Sequence, residues 1–70
     1  MTLEEYRQSN KLTYGKLAEL IGAKHPTIAR RYCLPIGHAD RMIPNFDYME
    51  RIVTVTAGAV QPNDFYMRRM

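Results

Sequence analysis

Apolar side chains recur at helical spacing in several short stretches, each bounded by a capping or breaking residue. Thr2 followed by Glu5 has the form of a capping box, and Leu3 and Tyr6 share a face behind it. The first helix is expected to end near Ser9 and Asn10, with Leu3, Tyr6 and Leu12 closing one side of a core. Thr13 caps a second helix over Tyr14 to Ile21, whose Leu17, Ala18 and Ile21 form one face. A third covers His25 to Tyr32, with Pro26 in its first turn and Ile28 and Tyr32 turned inward. Asn45 caps a fourth that runs to Thr56 behind a stripe of Phe46, Met49, Ile52, Val53 and Thr56. The alternation in Val53-Thr54-Val55-Thr56 also reads as a strand, but Gly58 supplies a helix stop. Pro62 opens a last short turn that returns Phe65 to the core.

The second and third helices are short, and Gly22-Ala23-Lys24 joins them. That is the sequence form of a helix-turn-helix. Ala18 permits a close crossing, Gly22 can take the left-handed conformation that ends a helix sharply, and Leu17, Ile21 and Ile28 share a small core. The outward side carries Lys24, His25, Thr27, Arg30 and Arg31, and no Asp or Glu occurs between Glu19 and Asp40. An unopposed positive helix face suits a polyanion whose major groove admits a helix.

Read at Leu12, Thr13, Leu17, Ala18, Ile21, Gly22, Ala23, Thr27, Ile28 and Arg30, the run L-T-x-x-x-L-A-x-x-I-G-A-x-x-x-T-I-x-R resembles the lambda-repressor-like, or Cro-type (Xre), DNA-binding domains. The later M-E-R-I-V-x-x-T-x-G-x-V-x-P-N-D-F, Met49 to Phe65, is similar to the closing helices of small Cro-type regulators, so the resemblance spans nearly the whole chain. It implies an all-α, compact bundle of four or five helices that binds operator DNA as a dimer. Two positions depart from the pattern: Tyr14 stands where Gln is common, and Lys24 where Ser or Thr usually caps the recognition helix.

Arg30 is the strongest candidate for reading a base, because a guanidinium grips guanine O6 and N7 bidentately; Thr27, one turn earlier, and His25 join it. Thr13, Tyr14, Lys16, Lys24 and Arg31 are expected at phosphates, with Arg31 snorkelling outward beside a buried Tyr32. Lys16 near a helix amino end reads equally as an ordinary exposed lysine. By the resemblance, Arg41 is a further phosphate contact just beyond the recognition helix. Arg7 and Lys11 are expected in solvent, with Lys11 within reach of a phosphate.

From Cys33 to Pro44 periodicity is lost, and Pro35, Gly37 and Pro44 mark a loop. Leu34, Ile36, Met42 and Ile43 exceed what anchors such a loop, and with Val60 and Tyr66 they form the expected dimer contact. His38 and Asp40 lack further ligands at metal spacing.

Seventy residues allow one domain, read as 1–66 with a short basic tail at 67–70. A chain this size buries about 60% of its unfolded surface, so a partner subunit would help it. The net charge of +3 favours nucleic acid or another anionic surface. The lone Cys33 excludes an internal disulfide and reads as a partly buried helix-end residue. The amino-terminal stretch is acidic and amphipathic rather than signal-like, and the longest weakly polar run, Ile52 to Val60, is far shorter than the about 20 residues a membrane helix needs. A cytoplasmic location follows as an expectation. No nucleophile with a base, Gly-rich phosphate loop or metal cluster is legible, so no catalysis, cofactor or small-molecule substrate is expected. The expected function is sequence-specific binding of double-stranded DNA as a transcriptional regulator, a Cro-like repressor acting as a dimer on an inverted repeat. The rivals are an RNA- or anionic-surface-binding module and an antitoxin- or anti-repressor-like interaction protein.

Overall fold

The computed structural model describes residues 1–66, and among these the chain forms four α-helices and one closing 3-10 turn, with no strand. The helices are α1 (Leu3–Ser9), α2 (Tyr14–Ile21), α3 (Pro26–Cys33) and α4 (Phe46–Val55); the turn covers Pro62–Phe65. Local capping explains where α1, α2 and α4 begin. The Thr2 hydroxyl accepts from the Glu5 amide at 3.1 Å while the Glu5 carboxylate accepts from the Thr2 amide at 2.7 Å, completing the capping box. Thr13 accepts from the Lys16 amide at 3.1 Å, and Asn45 from the Tyr48 amide at 3.0 Å.

Leu3, Leu17, Ile21, Ile52 and Val60 are wholly buried, joined by Ala18, Ala29, Tyr32, Cys33 and Phe65. α3 packs across α2 and α1, and α4 closes over α2. Ala29, rather than Ile28, fills the fully buried position of α3; Ile28 is half-buried at the edge of the core. The small side chains of Ala18 and Ala29 permit a close helix crossing.

α4 settles the ambiguous alternation as helix, but its inward face differs from the expected stripe. The face is centred on Ile52, with Tyr48, Met49 and Val55 partly buried beside it and Thr56 buried at the cap. Phe46 lies about 120° around the helix from Ile52 and is 75% exposed. The buried Thr56 hydroxyl donates to the Ile52 carbonyl at 2.7 Å and accepts from the Val60 amide at 3.2 Å, so no polar group is stranded there. Ala57 and Gly58, both left-handed with φ of 52° and 82°, then turn the chain back.

Among the described residues no helix is long and apolar enough to cross a membrane. The expected basic tail, 67–70, lies outside the described residues.

Candidate nucleic-acid interface

Gly22 ends α2 in the left-handed conformation (φ 77°), and the Ala23 amide donates to the Ala18 carbonyl at 2.8 Å. Four residues later the chain re-enters a helix: His25 is extended at the cap position but its side chain accepts no capping bond, and Pro26 takes the first turn. The departure at Lys24 is therefore matched by an α3 that starts on proline geometry without a side-chain cap.

α3 divides cleanly. Ala29, Tyr32 and Cys33 face the core, whereas Thr27, Arg30 and Arg31 are exposed, with exposed Lys24 and His25 just ahead of them. At 3.6 residues per turn, Thr27, Arg30 and Arg31 fall on one side. Tyr32 is buried as expected and Arg31 turns outward, its Nη1 3.7 Å from Met42 Sδ. Among the described residues no acid pairs with Lys24, His25, Arg30 or Arg31. The expected base-reading set and its two basic flanks therefore share one surface with their charges uncompensated.

Thr13 and Tyr14 lie at the amino end of α2, where a helix presents unbonded amides and positive potential. The Thr13 oxygen is engaged as a cap, leaving its hydroxyl proton as donor. Lys16 projects from the same turn, 3.5 Å from Glu19, with side chains 70% and 73% exposed. A pair so solvated is weak and opens readily for another anion.

Two expected site residues are placed otherwise. Arg41 donates from Nε to the Leu34 carbonyl at 3.0 Å and from Nη2 to the Phe65 carbonyl at 2.7 Å, with its Cζ 6.0 Å from the Phe65 ring centroid. It straps the loop after α3 to the closing turn through two of its five N–H groups, a structural role that the phosphate expectation did not include. Val60 has no exposed surface, so it belongs to the core and not to a subunit contact. The remaining expected contact residues are more accessible: Ile36, Met42, Ile43 and Tyr66 are exposed and Leu34 is intermediate. Exposed Phe46 and Tyr66 also flank a surface groove of about 550 Å³, shared with Pro44, Met49, Val53 and Pro62.

Sequence reading missed Arg7 and Arg51. Arg7 binds Glu4 through two hydrogen bonds and stacks on Tyr14, instead of standing in solvent. Its spacing from Glu4, i to i+3 on one helix face, was the available signal. Arg51 reaches from α4 to Gly22 across 29 positions, and no local pattern marks it. Cys33 is buried, and burial, reinforced by the nearby Glu4 charge, pushes its thiol up to about 12, so it is not a reactive thiolate at neutral pH. Comparison with known proteins gives no match: no family model, no curated protein and no solved structure matches the chain.

Proposed function

We propose that this protein binds double-stranded DNA sequence-specifically, with α3 as the recognition helix of a helix-turn-helix in a lambda-repressor-like arrangement, and acts as a Cro-like repressor. The observation that carries the reading is the exposed, acid-free face of Lys24, His25, Thr27, Arg30 and Arg31, presented by a helix that follows α2 through a tight left-handed turn. A rigid helix with one basic face suits the B-form major groove, which admits a helix, better than the deep, narrow major groove of duplex RNA. Arg30 and Thr27 read bases, while Lys24, Arg31 and the amino end of α2 hold phosphates.

A dimer provides a second recognition helix one turn of DNA away, about 34 Å along the duplex. Exposed Ile36, Met42, Ile43 and Tyr66 are the side chains offered for that pairing. Occupying an inverted repeat within a promoter would then exclude RNA polymerase sterically.

The test is selection from a randomised duplex pool, followed by titration of the recovered sequence against scrambled DNA and duplex RNA. A recovered inverted repeat bound at least about 10³-fold more tightly than scrambled DNA is the expected outcome. Equal affinity for all three polyanions would remove the sequence-specific reading, and binding confined to RNA would replace it with the RNA-binding alternative.

A further inference from the structure

Arg7 occupies a singular position between the first two helices. Its Nε donates to Glu4 Oε1 at 2.8 Å and its Nη2 to Glu4 Oε2 at 2.6 Å. Its Nη1 donates to the Leu12 carbonyl at 2.9 Å, one residue before the Thr13 cap. The guanidinium carbon also lies 4.4 Å from the centroid of the Tyr14 ring. One side chain thus grips α1, the connection and the first residue of α2. Glu4 neutralises its charge, and the Arg7 side chain is only 19% exposed, so it offers little to an external anion.

Tyr14 is the complementary half of this arrangement. Its hydroxyl makes no hydrogen bond to the described residues, and it stands at the amino end of α2, where the first amides and the helix dipole favour an anion. The ring is partly buried and packs against the core. A planar cation on its face restricts the ring's rotation, and a donor already oriented loses less freedom on binding.

We infer that Arg7 is a positioning residue of the DNA-binding surface: clamped by Glu4, it fixes the Tyr14 ring so that the hydroxyl donates to a backbone phosphate at the amino end of α2. This rests on the DNA-binding reading above. It also accounts for Tyr14 at a position where the resembled domains commonly carry Gln: the longer phenol is braced by the core it packs on and by Arg7 over its ring. Arg7 contributes orientation and not charge, which separates it from Lys16, Lys24 and Arg31.

The experiment is a double-mutant cycle on binding to the duplex recovered by selection, using Arg7→Met, Arg7→Lys and Tyr14→Phe, each single and combined, with affinities read across a salt series below every variant's melting temperature. Losing one hydrogen bond to a charged group corresponds to about a tenfold loss of affinity, so about a hundredfold loss is expected for Tyr14→Phe and for both Arg7 variants alone, one contact being lost in each subunit of the dimer. In the Tyr14→Phe background the Arg7 substitutions should change affinity less than about twofold, the mark of action through one contact. The salt dependence should stay unchanged, because a phenol replaces no counterion, whereas a direct phosphate contact by Arg7 in each subunit would lower the slope by about 2. Arg7→Lys keeps the charge and loses the fork, so wild-type affinity in that variant overturns the inference, as does a reduced slope or additivity with Tyr14→Phe. Wild-type affinity in Tyr14→Phe alone overturns it even if the Arg7 variants do not fold. A wild-type protein that binds no duplex overturns the DNA-binding reading as well, whereas failure of the cycle alone leaves that reading standing.

Discussion

The guanidinium of Arg51, on α4, occupies the space that a side chain on Gly22 would need: a Cβ built on Gly22 falls against Arg51 Nη1. The turn between α2 and α3 is shaped by its own left-handed backbone, and the Arg51 cation lies beside it at the carboxyl end of α2, where the helix dipole favours positive charge. Gly22→Ala should lower stability by about 1–2 kcal/mol, through the φ of 77° that an L side chain resists. The arginine tip can move, so Arg51→Ala in the same chain should restore only a minor part. Thermal melts of the two single variants and the double variant check this; full rescue by Arg51→Ala would place the cost in the collision rather than the backbone.

Arg30→Ala should remove specific binding while leaving most non-specific attraction. A bidentate base contact is worth about 1–3 kcal/mol of discrimination, and the exposed, unpaired Arg30 side chain sits beside Thr27 on the outward face of α3. Fluorescence titrations against the selected duplex and a scrambled one measure the difference. Equal losses on both would assign Arg30 to a phosphate.

Affinity should fall steeply with salt, by about 10³ to 10⁵ between 50 and 200 mM if a dimer meets about 6–10 phosphates. Arg31 and Arg41 should separate within that experiment. Arg31→Ala should flatten the slope by about 2, one contact in each subunit, whereas Arg41→Ala should leave it unchanged and lower stability by about 1–2 kcal/mol, because its Nε and Nη2 bind the Leu34 and Phe65 carbonyls. A flatter slope for Arg41→Ala would return that residue to the phosphate set.

Stability should have an acid limb set in part by Glu4. The Arg7 hydrogen bond holds this carboxyl below its ordinary value of 4.5, outweighing the opposing effect of burial. Since the folded pKa is depressed, the contribution is complete above about pH 4.5 and is lost as pH falls through the folded value. Urea midpoints measured from pH 7 to pH 3 should decline less steeply in Glu4→Gln than in the wild type. Identical slopes would mean that the Glu4–Arg7 clamp persists in the unfolded chain or contributes nothing.

Pairing should depend on the exposed groups of the loop after α3. Ile43→Ser should shift sedimentation of the operator complex from two proteins per duplex toward one, while a conservative change at buried Val60, Val60→Ala, should lower stability and leave stoichiometry intact. One protein per duplex at saturation for the wild type, with equal affinity for full and half sites, would dispose of the dimer.

The all-α class, the four helices and the caps of α1, α2 and α4 were legible along the chain. Thr2, Thr13 and Asn45 each bind an amide three residues on, and Gly22 turns its own backbone, so the forces that start and stop these helices act between near neighbours. The outward basic face of α3 was equally readable, because helical periodicity places Thr27, Arg30 and Arg31 opposite Ala29, Tyr32 and Cys33. Tertiary structure decided the rotation of α4 that buries Ile52 and exposes Phe46, and it chose Ala29 over Ile28 for the innermost place, since both depend on the shape of the facing helices. It also decided the fate of the long arginines. Arg7, Arg41 and Arg51 carry the same charge in the sequence as Arg30, but a flexible side chain goes where the folded neighbours leave acceptors or room: Glu4 and Leu12 accept from Arg7, Leu34 and Phe65 accept from Arg41, and Arg51 lies in the space beside Gly22.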